Sequence, residues 1–150
     1  MLREKFNIAM KDAMRSKDRR RLSTIRLIMA AVKDRDISVR TESDSKVGDS
    51  EIIDILSKMV KQRNDSIVAY EGAGRLELAK QEKDEIEIIN EFLPRQLDVS
   101  EIKDAVNSAI DQTSASGLKD IGKIMATLKG EYAGQMDFSK ASAMAKEILS

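Results

Sequence analysis

The sequence predicts an all-α protein, and three observations carry the prediction. Apolar residues recur at three and four along nearly the whole chain, the spacing that lines up one face of a helix. Ala, Ile, Leu, Met, Lys and Glu are abundant, while aromatic residues are only 3% of the 150 positions, a composition that favours helices over strands. No convincing apolar–polar alternation of strand type occurs.

Each helix is read in turn from its stripe. Leu2, Phe6, Ala9 or Met10, and Ala13 mark the first. Leu22, Ile25, Ile28 or Met29, and Val32 mark the second, with Asp18 as its N-cap. Asp49 or Ser50 opens a longer third stretch through Ile52, Leu56, Met59, Ile67 and Tyr70, closed by Gly72 and Gly74. Leu78, Glu82, Ile86, Ile89 and Leu93 mark the fourth, which Pro94 stops because its ring clashes with the preceding turn and it lacks an N–H. Asp98 and Glu101 have the spacing of a capping box before Val99, Ile102, Val106 and Ile110. Leu118, Ile121, Met125 and Leu128 follow Gly117, and Phe138, Ala141, Ala145 and Ile148 end the series. Seven helices are therefore expected, four before Pro94 and three after it. The polar stretch Ser38–Gly48 reads as a flexible surface loop, and Gln112–Gly117 as a shorter connection. The longest elements precede Pro94, which places a domain boundary near Pro94–Leu97 and divides the chain into 1–94 and 95–150.

Composition excludes several chemistries. The chain has no Cys, so it has no disulfide framework and no thiolate nucleophile. With no His either, the usual zinc or haem sites and any Ser-His-Asp or Cys-His set are excluded. No P-loop, dinucleotide fingerprint or EF-hand spacing is present, so neither a cofactor nor a metal is expected. No apolar run approaches the roughly 18 residues of a membrane span, and Met1–Met10 lacks the apolar core of a signal peptide, so no membrane association is expected and the expected address is the cytoplasm.

The 26 Lys+Arg balance the 26 Asp+Glu, but the charge is segregated. Residues 1–47 hold 13 basic against 7 acidic side chains, residues 48–94 hold 6 against 11, and residues 95–150 hold 7 against 8. The first two blocks are expected to pack as oppositely charged hairpins.

Three clusters are candidates for chemistry, each with a structural alternative. Arg19, Arg20 and Arg21 open the second helix, where cations sit poorly against the helix dipole. They can fork onto phosphates or form a solvated turn. Arg63 falls on the apolar stripe between Met59 and Ile67, so its guanidinium must face a groove, run along the surface, or pair with Glu82 on the next helix. Glu82, Asp84, Glu85 and Glu87 alternate with Lys83 and read as a solvated acidic face. The most specific pattern is Lys119-Asp120-Ile121-Gly122-Lys123-Ile124-Met125, then Lys129-Gly130-Glu131-Tyr132-Ala133-Gly134. Gly122 inside a helix costs about 1 kcal/mol relative to Ala, so either a backbone or a ligand approaches it closely. Lys119 and Lys123 share a face, and with Lys129 and the Gly130–Gly134 turn they can grip a phosphate backbone; ordinary surface lysines are the alternative.

This C-terminal pattern resembles the tail domain of the GatB subunit of tRNA-dependent amidotransferases, and the whole chain resembles the stand-alone GatB/YqeY family. The resemblance continues through Ile25-Arg26-Leu27-Ile28-Met29-Ala30-Ala31-Val32-Lys33, through Lys61-Gln62-Arg63-Asn64-Asp65-Ser66-Ile67, and through Tyr70-Glu71-Gly72-Ala73-Gly74-Arg75 and Phe92-Leu93-Pro94-Arg95-Gln96-Leu97. Met136-Asp137-Phe138 departs from it, since the family more often has a small residue, Asp and Gly there. The resemblance implies an N-terminal four-helix bundle joined to a smaller C-terminal three-helix bundle. It marks Arg26, Gln62, Arg63, Asp65 and Arg75 as motif positions without assigning them a role. It implies a non-catalytic accessory protein that binds tRNA or an aminoacyl-tRNA complex, or a protein partner of the translation machinery. The family label, a carbon–nitrogen ligase with glutamine as amido-N-donor, describes a subunit relationship, because this chain carries no glutamine-hydrolysing nucleophile and no ATP cradle. The readings left side by side are RNA binding, protein–protein adaptation and amide transfer.

Overall fold

The computed structural model of the chain describes residues 1–39 and 46–150, and among these it has seven α-helices and no strand. They fall into two compact units, Met1–Leu93 and Pro94–Ser150.

The first unit holds α1 (Leu2–Ser16), α2 (Arg19–Ser38), α3 (Asp49–Gly72) and α4 (Leu76–Asn90). α1 ends on Lys17 in the left-handed conformation, and Asp18 then caps α2 by accepting from the Arg21 N–H at 3.1 Å, the role its position predicts. α3 carries Asp49 and Glu51 in its first turn, where carboxylates complement the helix dipole. Gly74, at φ 72°, makes the left-handed turn from α3 to α4. Phe6, Ile28, Ile52, Leu56 and Ile89 lose essentially all their solvent contact in one cluster, and each such side chain stabilises the fold by roughly 1.5–3 kcal/mol. The Phe6 and Phe92 rings meet edge-on, with centroids 5.0 Å apart.

The polar loop expected over Ser38–Gly48 is shorter at its start, because α2 continues through Ser38, whose hydroxyl donates to the Arg35 carbonyl. The rest of that expectation, over 40–45, lies outside the described residues. Beyond it the chain is fastened by a clamp. Arg3 donates to both Asp36 oxygens (2.9 and 2.7 Å) and to the Val47 carbonyl (2.9 Å), and Asp36 accepts from the Val47 N–H (2.9 Å).

The second unit holds α5 (Val99–Thr113), a 3₁₀ turn (Leu118–Asp120), α6 (Ile121–Glu131) and α7 (Phe138–Leu149). The capping box is present: the Glu101 N–H donates to Asp98 and the Asp98 N–H to Glu101. Asp137 caps α7 through the Ser139 N–H. Ile102, Val106, Ile124, Leu128, Ala141 and Ala145 form the core. The entering segment is stitched to the turn before α7. The Leu97 N–H donates to the Gln135 carbonyl at 2.8 Å, and the Gln96 side chain donates to the Gly134 carbonyl at 2.6 Å. Gly134 holds φ 75° there.

The helix expected from Leu118 begins instead at Ile121, because Leu118–Asp120 winds more tightly and Asp120 turns back to accept from the Ser116 N–H.

Candidate functional site

The arginine cluster at the start of α2 is divided by packing. Arg20 pairs with Asp84 of the acidic α4 and Arg21 with Glu91 just beyond its end, so two of the three guanidinium groups that could have faced phosphate or solvent are occupied inside the first unit. Arg19 remains exposed, and no described residue pairs with it. The oppositely charged segments thus pack against each other, as their segregation predicts.

Arg63 is turned inwards. Its Nε donates to Glu85 Oε2 at 2.9 Å, and a terminal nitrogen donates to the Met59 carbonyl at 3.2 Å. The partner is Glu85 and not the expected Glu82, because helix packing aims Glu85 at Arg63. Glu82 lies close to this pair; burial, and then the Glu85 charge, push its carboxyl above the usual range, against the pull of Arg63. The expectation of a solvated acidic face is therefore corrected: Glu82, Asp84 and Glu85 are half-buried, and Asp84 and Glu85 are ion-paired. Of the other motif residues, Arg26 and Asp65 are exposed, Gln62 accepts from Ser66 through its backbone carbonyl, and Arg75 lies 3.6 Å from Glu77 in an exposed pair.

In the second unit, Lys119, Lys123 and Lys129 are all exposed and make no salt bridge with a described residue. Asp120, between the first two, is held below the usual carboxylate range, first by the Ser116 N–H and then, against burial, by the positive charge of Lys123 and Lys119. Gly122 lies in the first turn of α6, not in a helix interior, and a Cβ built there meets nothing within 4 Å. Close packing of another backbone is thereby removed as its reason. Gly130 likewise faces open space, whereas Gly134 is buried and its positive φ requires glycine.

The three lysines do not share one face. Lys129 lies six residues beyond Lys123, which on an α-helix is about 120° away. It lines a shallow groove of about 440 Å³ between α6 and α7, with Lys146, Ser142, Met125 and Phe138. Lys146 was missed in the sequence, because nothing local connects it to Lys129 across 17 residues. The aromatic residues of this unit, Tyr132 and Phe138, pack partly buried against its core. The surface presents cations and hydroxyls.

Residues 3–149 match the family described as Yqey-like protein. Among curated relatives, a protein of Candida glabrata named "Altered inheritance of mitochondria protein 41, mitochondrial" is 34% identical over 102 residues, covering 68% of this chain and 54% of the relative. The Vanderwaltozyma polyspora protein of the same name is 27% identical over 146 residues, covering 91% of this chain and 77% of the relative. The match thus spans about half the length of the first relative and three quarters of the second. These names correct the cytoplasmic expectation: the relatives are named as mitochondrial proteins, and the mixed charged and apolar residues Met1–Met10 do not decide an address.

Proposed function

The chain belongs to the YqeY-like family, and from that premise we propose that it is a non-catalytic helical accessory protein that binds structured RNA of the tRNA kind through its second unit. The carrying observation is the α6 surface. Lys119 and Lys123 are exposed without a salt bridge and flank Gly122, beside which no side chain fills the space. Lysines deliver point charges to phosphates, and a glycine between them lets a sugar–phosphate backbone approach the main chain. Lys129 and Lys146, at the α6–α7 groove, extend the cationic surface. With no exposed aromatic platform, recognition runs through shape and phosphate contacts and not through base stacking.

The four-plus-three bundle arrangement is part of this proposal. The clusters joining α1 to α4 in one unit and α5 to α7 in the other support it.

The test is a titration of labelled tRNA at two salt concentrations, with the intact chain and with a Lys119→Ala/Lys123→Ala variant. Affinity should fall with salt, and the variant should bind more weakly with a slope shallower by about two ions released. Absence of binding at low salt, or binding without a salt slope, removes the reading.

A further inference from the structure

α2 carries six basic side chains, and the fold separates them into two sets. Arg20 pairs with Asp84 of α4, Arg21 with Glu91 just past the end of α4, and Arg35 with Glu51 of α3. Arg19, Arg26 and Lys33 are exposed, and none has an ion pair or hydrogen bond with a described residue. These three are separated by seven residues each, so they stand in a row along one edge of α2, about 10.5 Å apart over roughly 21 Å.

The lower part of that row borders a cleft of about 600 Å³ between α1 and α2. Phe6, Met29 and Val32 line it, Ile37 stands 57% exposed at its end, and Lys33 and Lys46 lie at its rim. Arg3 and Asp36, also in its wall, neutralise each other, so the rim is left positive.

We propose that this α1/α2 groove docks an acidic amphipathic helix of a partner protein. A helix laid along α2 repeats a face every seven residues, so carboxylates at heptad spacing meet Arg19, Arg26 and Lys33 in register, while its apolar residues cover Ile37 and the cleft. The accessible apolar side chains separate this occupant from RNA, since phosphates have no use for the half-buried Met29 and the exposed Ile37. Residues 1–47, with 13 basic against 7 acidic side chains, supply the long-range attraction. The site lies in the first unit and is independent of the RNA surface proposed for the second.

The experiment uses the full chain and a fluorescein-labelled synthetic helix of three Leu/Glu heptads. Saturable binding is expected. Arg26→Glu/Lys33→Glu should weaken it about tenfold or more, and a peptide with Lys in place of Glu should bind that variant and not the parent. Ile37→Glu should also weaken the original peptide. These side chains are exposed, so circular dichroism should report unchanged helicity. Failure of the acidic peptide to bind, or binding indifferent to charge reversal, overturns the proposal. So does an RNA duplex that displaces the peptide and itself loses affinity in the reversed variant, which makes the row a phosphate site.

Discussion

Arg63 of α3 and Glu85 of α4 meet through Nε and Oε2 at 2.9 Å, with only 14% and 15% of their side chains exposed. The guanidinium also donates to the Met59 carbonyl, which ties it to its own helix as well as to α4. Such a pair is strongly felt when broken from one side, because the surviving charge stays in a poorly solvated site. Arg63→Met should lower the unfolding free energy by roughly 2–3 kcal/mol, and Arg63→Met/Glu85→Met should recover most of that. Urea unfolding of the single and double variants checks it; equal losses from both would show that the unpaired Glu85 carries no burial cost.

Glu82, beside that pair, gives a prediction of opposite sign. Its folded carboxyl titrates above the unfolded one, so the folded state holds the proton more tightly and stability falls as pH rises through the Glu82 transition. Glu82→Gln removes that loss. The urea midpoint of the variant should exceed the parent's at pH 7, and the two should converge at pH values below the ordinary carboxylate range.

The second unit should show the usual acid sensitivity through Glu101. Arg95 grips both its oxygens, at 3.0 and 2.7 Å, and, with the Asp98 N–H, lowers its carboxyl to about 2. The unfolded carboxyl titrates near 4.5. The contribution is therefore complete above that range and is lost as pH falls from about 4.5 to about 2. The protection of the α5 amides, measured against the intrinsic exchange rate at each pH, should fall across that interval, and Glu101→Gln should flatten the dependence.

How far the sequence led depends on the range of each interaction. Asp18 and the Asp98–Glu101 box were legible because a cap is closed within three or four residues, whereas α4 ends at Asn90, three residues short of the Leu93 at which its stripe and Pro94 place the stop. The partner of Arg63 was not, because choosing Glu85 over Glu82 depends on how two helices are rotated against each other, 22 residues apart. The Arg19–Arg21 block reads as one cationic patch, yet neighbouring helical positions point about 100° apart, and Asp84 of α4 with Glu91 after it takes only two of the three. Lys129 is exposed as its sequence context suggests, but its companion in the α6–α7 groove, Lys146, lies 17 residues away and left no local signal.

Two helix ends offer stabilising changes. Lys17 at φ 58° and Ser114 at φ 52° are the non-glycine residues of positive φ among those described, each at the C-terminal end of a helix. A side chain in that region strains the backbone, and glycine relieves it. Lys17→Gly and Ser114→Gly should each raise stability by about 1 kcal/mol, additively, because they lie in separate units. Denaturant unfolding that showed neither gain would mean that these conformations are not strained.

Gly122 separates folding from binding. Nothing lies within 4 Å of a Cβ built there, and it stands in the first turn of α6, so Gly122→Ala should be tolerated and should stabilise by about 0.5–1 kcal/mol through the unfolded chain. Gly134→Ala should do the reverse, since φ 75° and a buried position leave the methyl group strained. If the open flank of Gly122 exists for a phosphate backbone, the stabilised Gly122→Ala protein should bind tRNA more weakly than the parent. A gain in stability joined to a loss of affinity cannot come from disruption of the fold. Unchanged affinity in that variant would show that the main chain at Gly122 does not meet the RNA.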